Sequence, residues 1–263
     1  MARFNETGVM SYMSPSKHEF AVYIPGLSSQ ITSSKQVLIT DADIVHRIRS
    51  VLRLVKGQDL IFFDEKMHVA STLMDVNKKT VSAHIIASEC TKPLTPSITF
   101  LLPLLKREAF ERMIYACVEL GANSIQLVST EKSQSSWRGE KELQRIRSIM
   151  IAAAEQSKQF VIPVLHGPRP LSDVLSAYQD APIKLVADPA GAHLYEVLTQ
   201  IHAKIHPQEN AIVITMGPEG DLTDAEKTLL REASYQAVKL TPTILRSQQA
   251  GALLLGVIRS TLY

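Results

Sequence analysis

The chain has 263 residues, of which 45% are hydrophobic, 21% charged and 6% aromatic, with 28 Lys and Arg against 26 Asp and Glu. This composition excludes disordered and collagen-like chains and fits one large globular domain or two ordinary ones. The formal charge of +2 gives no whole-chain argument for nucleic acid, which has to rest on a local basic patch. Cys90 and Cys117 lie far apart without a CxxC partner, which argues against a disulfide framework or a thiolate zinc site. No apolar run reaches the roughly 18 residues of a membrane span, so a cytoplasmic protein with no membrane partner is expected.

Residues 1–18 are polar, lack the apolar core of a signal peptide, and read as a disordered extension. Residues 19–91 read as a strand-rich module, with strands at 20–24, 59–63 and 80–86. One helix interrupts them, capped by Thr40 or Asp41 and running through Leu52 to stop near Gly57. Two prolines within residues 92–96 mark a linker. Residues 92–263 then alternate strand and helix. Strands are expected at 98–105, 124–128, 161–165, 184–187, 211–215 and 237–240, and helices at 108–120, 140–157 and about 247–260. Alternation of this kind predicts an α/β fold with a mostly parallel sheet covered on both faces.

The chain has no GxGxxG after a strand, no P-loop, no HExxH and no GxSxG. Its eight histidines lack ligand spacing, so no metal is expected. The strongest local signal is residues 212–223, IVITMGPEGDLT, where a buried strand runs into two glycines. Thr223 then caps a helix, with Glu226 completing a capping box. Glycines at a strand's C-terminal edge let a ligand lie against bare backbone, although an isolated GPEG also suits an ordinary strand-to-helix turn.

The wider pattern is more specific. GPEGDLTDAE at 217–226 stands in order with Lys106 and Arg107 entering a helix, ELG at 119–121, TEKS at 130–133, AAEQS at 153–157, and LTPTILR at 240–246. With HRIRSVLRL at 46–54, this series resembles the 16S ribosomal RNA (uracil-N3)-methyltransferases of the SPOUT superfamily, over roughly residues 19–260. The resemblance implies a trefoil-knotted C-terminal domain binding S-adenosyl-L-methionine, a PUA-like RNA-binding barrel at residues 19–91, and a homodimer. Its partner would be 16S rRNA in the small ribosomal subunit. Carried onto this chain, the cofactor-binding positions are Asp188, Pro189, Met216, Gly217, Pro218, Glu219, Gly220, Leu240, Ile244 and Leu245, with Arg246 and Ser247 as catalytic candidates. The chain departs from the family pattern at Thr241 (glycine there), Thr243 (arginine) and Gln248 (glutamate), and also at Asp221 (glycine) and Gln159 (arginine).

Uridine N3 carries a weakly acidic imide proton, so methylation needs an anion-stabilising group, and Arg246 is the candidate; a phosphate contact or a structural ion pair is the other reading of it. Ser247 can bond the base or cap the final helix. Arg47, Arg49, Arg53, Lys106, Arg107 and Arg138 can follow an RNA backbone, or form solvated helix faces. Arg49 and Arg53, four apart on the expected helix, share a face. Two competing functions use the same scaffold: a ribose 2'-O-methyltransferase and a non-catalytic RNA-binding protein.

Overall fold

The computed structural model describes residues 19–133, 137, 139–202 and 211–262; the expected extension at 1–18 and the candidate Arg138 lie outside them. The chain divides into two units, Met1–Glu89 and Cys90–Tyr263.

In the first unit, β1 (Phe20–Tyr23), β2 (Gln36–Ile39), β3 (Asp59–Phe63), β4 (Met67–Val76) and β5 (Val81–Cys90) form one sheet in the order β1-β3-β4-β5-β2. β1 runs parallel to β3, while β3 with β4 and β2 with β5 are antiparallel. Val69, Ser71 and Leu73 of β4 point inward by strict alternation, and Val81, Ala83 and Ile85 do so on β5. Val69, Leu73, Val81, Ala83 and Ile85 pack with Ile24, Leu27, Val45, Ile48 and Phe62 into one apolar cluster. The helix α1 (Ala42–His46) begins where expected, because the Asp41 carboxylate accepts from the amides of Asp43 and Ile44 at 3.0 Å each. It continues as a π turn over Arg47–Val51 and stops there, several residues earlier than its periodicity predicts. Arg53 lies beyond the end in the left-handed region at φ 54°, so it does not share a helix face with Arg49.

The second unit carries six parallel strands: β6 (Ser97–Pro103), β7 (Ser124–Ser129), β8 (Val164–Pro170), β9 (Ile183–His193), β10 (Ala211–Met216) and β11 (Gln236–Lys239). Their spatial order is β11-β9-β10-β6-β7-β8. The helices are α2 (Arg107–Glu119), α3 (Glu140–Ser157), α4 (Leu171–Ala177), α5 (Leu194–His202), α6 (Asp224–Glu232) and α7 (Ser247–Leu262). α7 packs on β9 and β10 and against α2 and α5, and α2 packs against α3. α4 packs on β7 and β8 and against α6. Ile98, Phe100, Leu101, Leu102 and residues 212–214 are fully buried in the sheet centre, as a strand covered on both faces requires. β8 lies at the sheet edge, where Gly167, Pro168 and Pro170 are tolerated. No helix among the described residues is long and apolar enough to cross a membrane.

The last turn of α7 is pinned to the start of the sheet by a buried guanidinium. Arg259 donates from Nη1 to the Pro96 carbonyl at 2.9 Å, and from Nη2 to the Gly121 carbonyl at 2.6 Å and to Asn123 Oδ1 at 3.1 Å. Asn123 also accepts from the Ile98 amide at 2.8 Å and donates to the Leu94 carbonyl at 2.9 Å. Gly121, at φ 72°, ends α2 and presents its carbonyl to this network. Bonds of this kind to a charged donor are stronger than neutral ones, and removing the donor strands buried carbonyls. Arg259→Met should therefore lower the unfolding free energy by about 2–4 kcal/mol in a urea titration, with Arg259→Lys intermediate.

Candidate active site

Three parallel strands, β9, β10 and β11, end at one edge of the sheet, the edge at which open α/β sheets hold ligands. β9 does not stop at Asp188 and Pro189 as its composition predicts. Ala237 pairs with Val186, and the next residue, Val238, pairs with Ala192. Residues 187–191 thus have no partner on β11 and form a bulged stretch of β9 between two segments that pair with it, although Ala187 still pairs with Met216 of β10. Asp188 shapes it, its Oδ1 accepting from the Ala190 amide at 2.8 Å. Gly191 closes it: a Cβ there would lie 2.5 Å from the Val238 nitrogen and nearer still to the Ala237 carbonyl, so only glycine fits.

The second wall is the turn that follows β10. The Asp221 amide donates to the Pro218 carbonyl at 3.0 Å, closing it. Asp221 sits at φ 60°, a conformation glycine adopts freely and aspartate tolerates. Glu219 Oε1 accepts from the Lys106 amide at 3.0 Å, tying the turn to the start of α2. Thr223 and Glu226 form the expected capping box, and Glu226 is buried. Its Oε1 also accepts from the Glu131 amide at 2.9 Å, which joins the segment after β7 to α6.

The third wall runs from Leu240 to Ala250. Thr241 donates its hydroxyl to the Thr243 carbonyl at 2.7 Å. Arg246 immediately precedes α7, its carbonyl accepting from the amides of Gln249 and Ala250 at 2.9 Å each. Its guanidinium is exposed and bonds to no described side chain, whereas Ser247 is the first residue of the helix.

These walls enclose a cavity of about 380 Å³, a size that holds a nucleoside-like ligand. Of the expected positions, Asp188, Pro189, Met216, Gly217, Pro218, Glu219, Leu240, Ile244, Leu245, Arg246 and Ser247 all line it. Gly220 does not, and packs instead beside the Lys132 stem. Sequence reasoning missed Ala187 and Val238 in the lining, and Gly191 behind it. A glycine within a strand pattern, in DPAGA at 188–192, was the available signal for a close backbone approach. Among the RNA-contact candidates, Lys106 and Arg107 do enter α2, and Arg107 pairs with Glu111 at 3.3 Å.

Comparison with known proteins gives the family. Residues 92–259 match the RNA methyltransferase domain, and the chain belongs to that family. It is 27% identical over 230 residues to ribosomal RNA small subunit methyltransferase E of Mycobacterium bovis, covering 84% of this chain and 86% of that one. It is also 27% identical over 243 residues to the protein of that name from Bacillus subtilis, covering 90% and 94%. The crystal structure of ribosomal RNA small subunit methyltransferase E from Neisseria gonorrhoeae bound to S-adenosyl methionine superposes with a TM-score of 0.76 at 25% identity, over 92% of this chain and 98% of that one.

Two tightly packed glycines of this unit should respond differently to an added methyl group. Gly191→Ala pushes against backbone and should cost about 3 kcal/mol or more, with loss of ligand binding, in a thermal melt and calorimetry. Gly251→Ala meets the thioethers of Met216 at 2.7 Å and Met113 at 2.9 Å, which can rotate away. It should cost about 1 kcal/mol or less.

Proposed function

We propose that the chain methylates N3 of a uridine in 16S rRNA of the small ribosomal subunit, using S-adenosylmethionine and acting as a homodimer. The observation that carries the reading is the cavity at the C-terminal ends of β9, β10 and β11, all of whose lining residues fall within the 92–259 match to the RNA methyltransferase domain. The bulged segment between Val186 and Ala192 supports a trefoil-knotted path around β11. The mixed sheet of the first unit, with Arg47 and Arg49 on the turn after α1, supports a PUA-like RNA-binding role for that unit.

The donor set fits an adenosyl ligand. The backbone amides of Thr241, Thr243, Ile244 and Leu245 donate to no described partner, so this wall offers donors to ring nitrogens and hydroxyls. Met216, Pro218, Val238, Leu240 and Leu245 supply apolar surface for a purine. Asp188 is suited to ribose hydroxyls or an amino group. When bound, S-adenosylmethionine supplies an activated methyl group on a sulfonium centre.

What remains for the protein is positioning and charge. The uridine imide must give its N3 proton to solvent at the opening, and the negative charge left on the base needs a cation beside it. Arg246 is that cation, held at the cavity rim by the start of α7 and uncommitted to any described carboxylate. Ser247 stands next to it to bond a base carbonyl.

The test uses labelled S-adenosylmethionine and small ribosomal subunits from a strain lacking the modification, with the product mapped by mass spectrometry. The expected product is N3-methyluridine in 16S rRNA; label on a ribose, or no transfer, overturns the reading. Arg246→Ala should cut turnover by about 100-fold or more, while cofactor affinity by calorimetry stays within about threefold. Unchanged turnover would remove Arg246 from the chemistry.

A further inference from the structure

Lys227 lies in the first turn of α6, outside the cavity lining, yet its ammonium reaches both of the loops that form the first two walls. Its Nζ is 2.8 Å from Asp221 Oδ2 on the turn after β10 and 3.4 Å from Asp188 Oδ2 on the bulged segment of β9. The remaining oxygen of each carboxylate holds its own loop. Asp188 Oδ1 accepts from Ala190, and Asp221 Oδ1 accepts from the Leu222 amide at 2.8 Å. One cation therefore joins two loops, each already shaped by the carboxylate it grips.

Neither member of the closer pair is where local preference would put it. A lysine in the first turn of a helix sits against the positive end of the helix dipole. Asp221 occupies a left-handed position that glycine would fill without strain. Two local mismatches that meet in one 2.8 Å bond point to a role for the bond itself. The electrostatics agree. Burial alone would raise the Asp221 carboxyl, but the hydrogen bonds from Lys227 and the Leu222 amide, with the charges of Lys227 and Lys132, hold it below its ordinary value. The bond to Asp221 raises Lys227, against the opposing effect of burial.

We propose that Lys227 is a positioning residue which clamps the Asp188 loop to the Asp221 turn, and so sets the width of the cavity for S-adenosylmethionine. The proposal rests on the cofactor reading above. It also accounts for Asp221 in place of a glycine: a glycine leaves the ammonium with only the longer contact to Asp188.

The experiment compares wild type with Lys227→Met, Lys227→Arg, and Lys227→Met combined with Asp221→Asn, which keeps the Leu222 contact but drops the charge. Binding of S-adenosylmethionine is read by calorimetry, turnover at saturating cofactor separately, and hydrogen exchange of residues 187–193 and 216–222 in the ligand-free protein. Lys227→Met should weaken cofactor binding by about tenfold, leave kcat within about threefold, and speed exchange in both segments. Lys227→Arg should restore affinity to within about threefold of wild type. Adding Asp221→Asn should cost no further affinity beyond about twofold, since both changes remove one interaction. Should Lys227→Met fail to fold, Lys227→Gln carries the same measurements. Wild-type affinity and exchange in the Lys227→Met protein, with wild type binding normally, overturn the clamp alone. No binding by wild type, with faster exchange in the variant, overturns the cofactor reading and leaves the clamp standing. A further loss of affinity well beyond twofold in the combined variant also overturns it, because Asp221 would then act on the cofactor without Lys227.

Discussion

The closest constraint in the second unit is the approach of the Gly191 backbone to Ala237 and Val238. A parallel ladder normally advances one residue per residue on both strands. Here five residues of β9 have no partner between consecutive pairs of β11. These residues forgo pairing with β11, at a cost of order 1 kcal/mol for any polar group so left without a partner, while Ala187 keeps its pairing with Met216 of β10. The pairing on either side and the tight seat of Gly191 hold the segment there, and the Asp188 side chain recovers one amide. Without this break β9 would continue as regular strand, and Ala187, Asp188 and Pro189 would not stand at the cavity. The site is therefore a consequence of pairing register more than of any one side chain.

The elements legible in sequence are those whose signal is local. Asp41 and the Thr223 with Glu226 box were readable because a cap needs only its own side chain and the next turn. The helix at 140–157 matched to the residue, since an amphipathic period over many turns is hard to mistake. β4 was not legible: its inward face reads Val69, Ser71, Leu73, and a serine breaks the apolar alternation. Ser71 is tolerated in the core because its hydroxyl donates to the Leu60 carbonyl at 2.6 Å across the sheet, a partner the local sequence cannot reveal. Arg53 misled for a related reason. Four-residue spacing places two arginines on one face only while the helix lasts, and it ends at Val51. The long-range break at Gly191 was the least legible, because it depends on β11, more than forty residues further along.

Four of the five positions read as departures from the family pattern bond locally: Thr241, Thr243, Asp221 and Gln159. Thr241 and Thr243, in place of glycine and arginine, bond through the Thr241 hydroxyl and the Thr243 carbonyl. Gln159 accepts from the Val161 amide at 3.3 Å where an arginine is common. Asp221 is held by Leu222 and Lys227. Such local bonds order the walls at Asp221, Thr241 and Thr243, so a cavity is retained although these three residues and Gln248 differ from the expected side chains.

That rearrangement bears on the charge available for chemistry. Three carboxylates line the cavity, and each is engaged: Glu219 with the Lys106 amide, Asp188 and Asp221 with Lys227. Arg246 is the one Lys or Arg in the lining, and no described carboxylate pairs with it. In open solvent an exposed guanidinium of this kind is screened and contributes little. In the proposed reaction, a substrate base covering the rim would displace water, lower the effective dielectric and let the same charge act strongly on an anion forming beside it. The fixed pairs keep the carboxylates from capturing Arg246 beforehand. A net charge of +2 over the whole chain thus says little about function, because what matters is which charges are already spent within the walls and which one is left free at the opening.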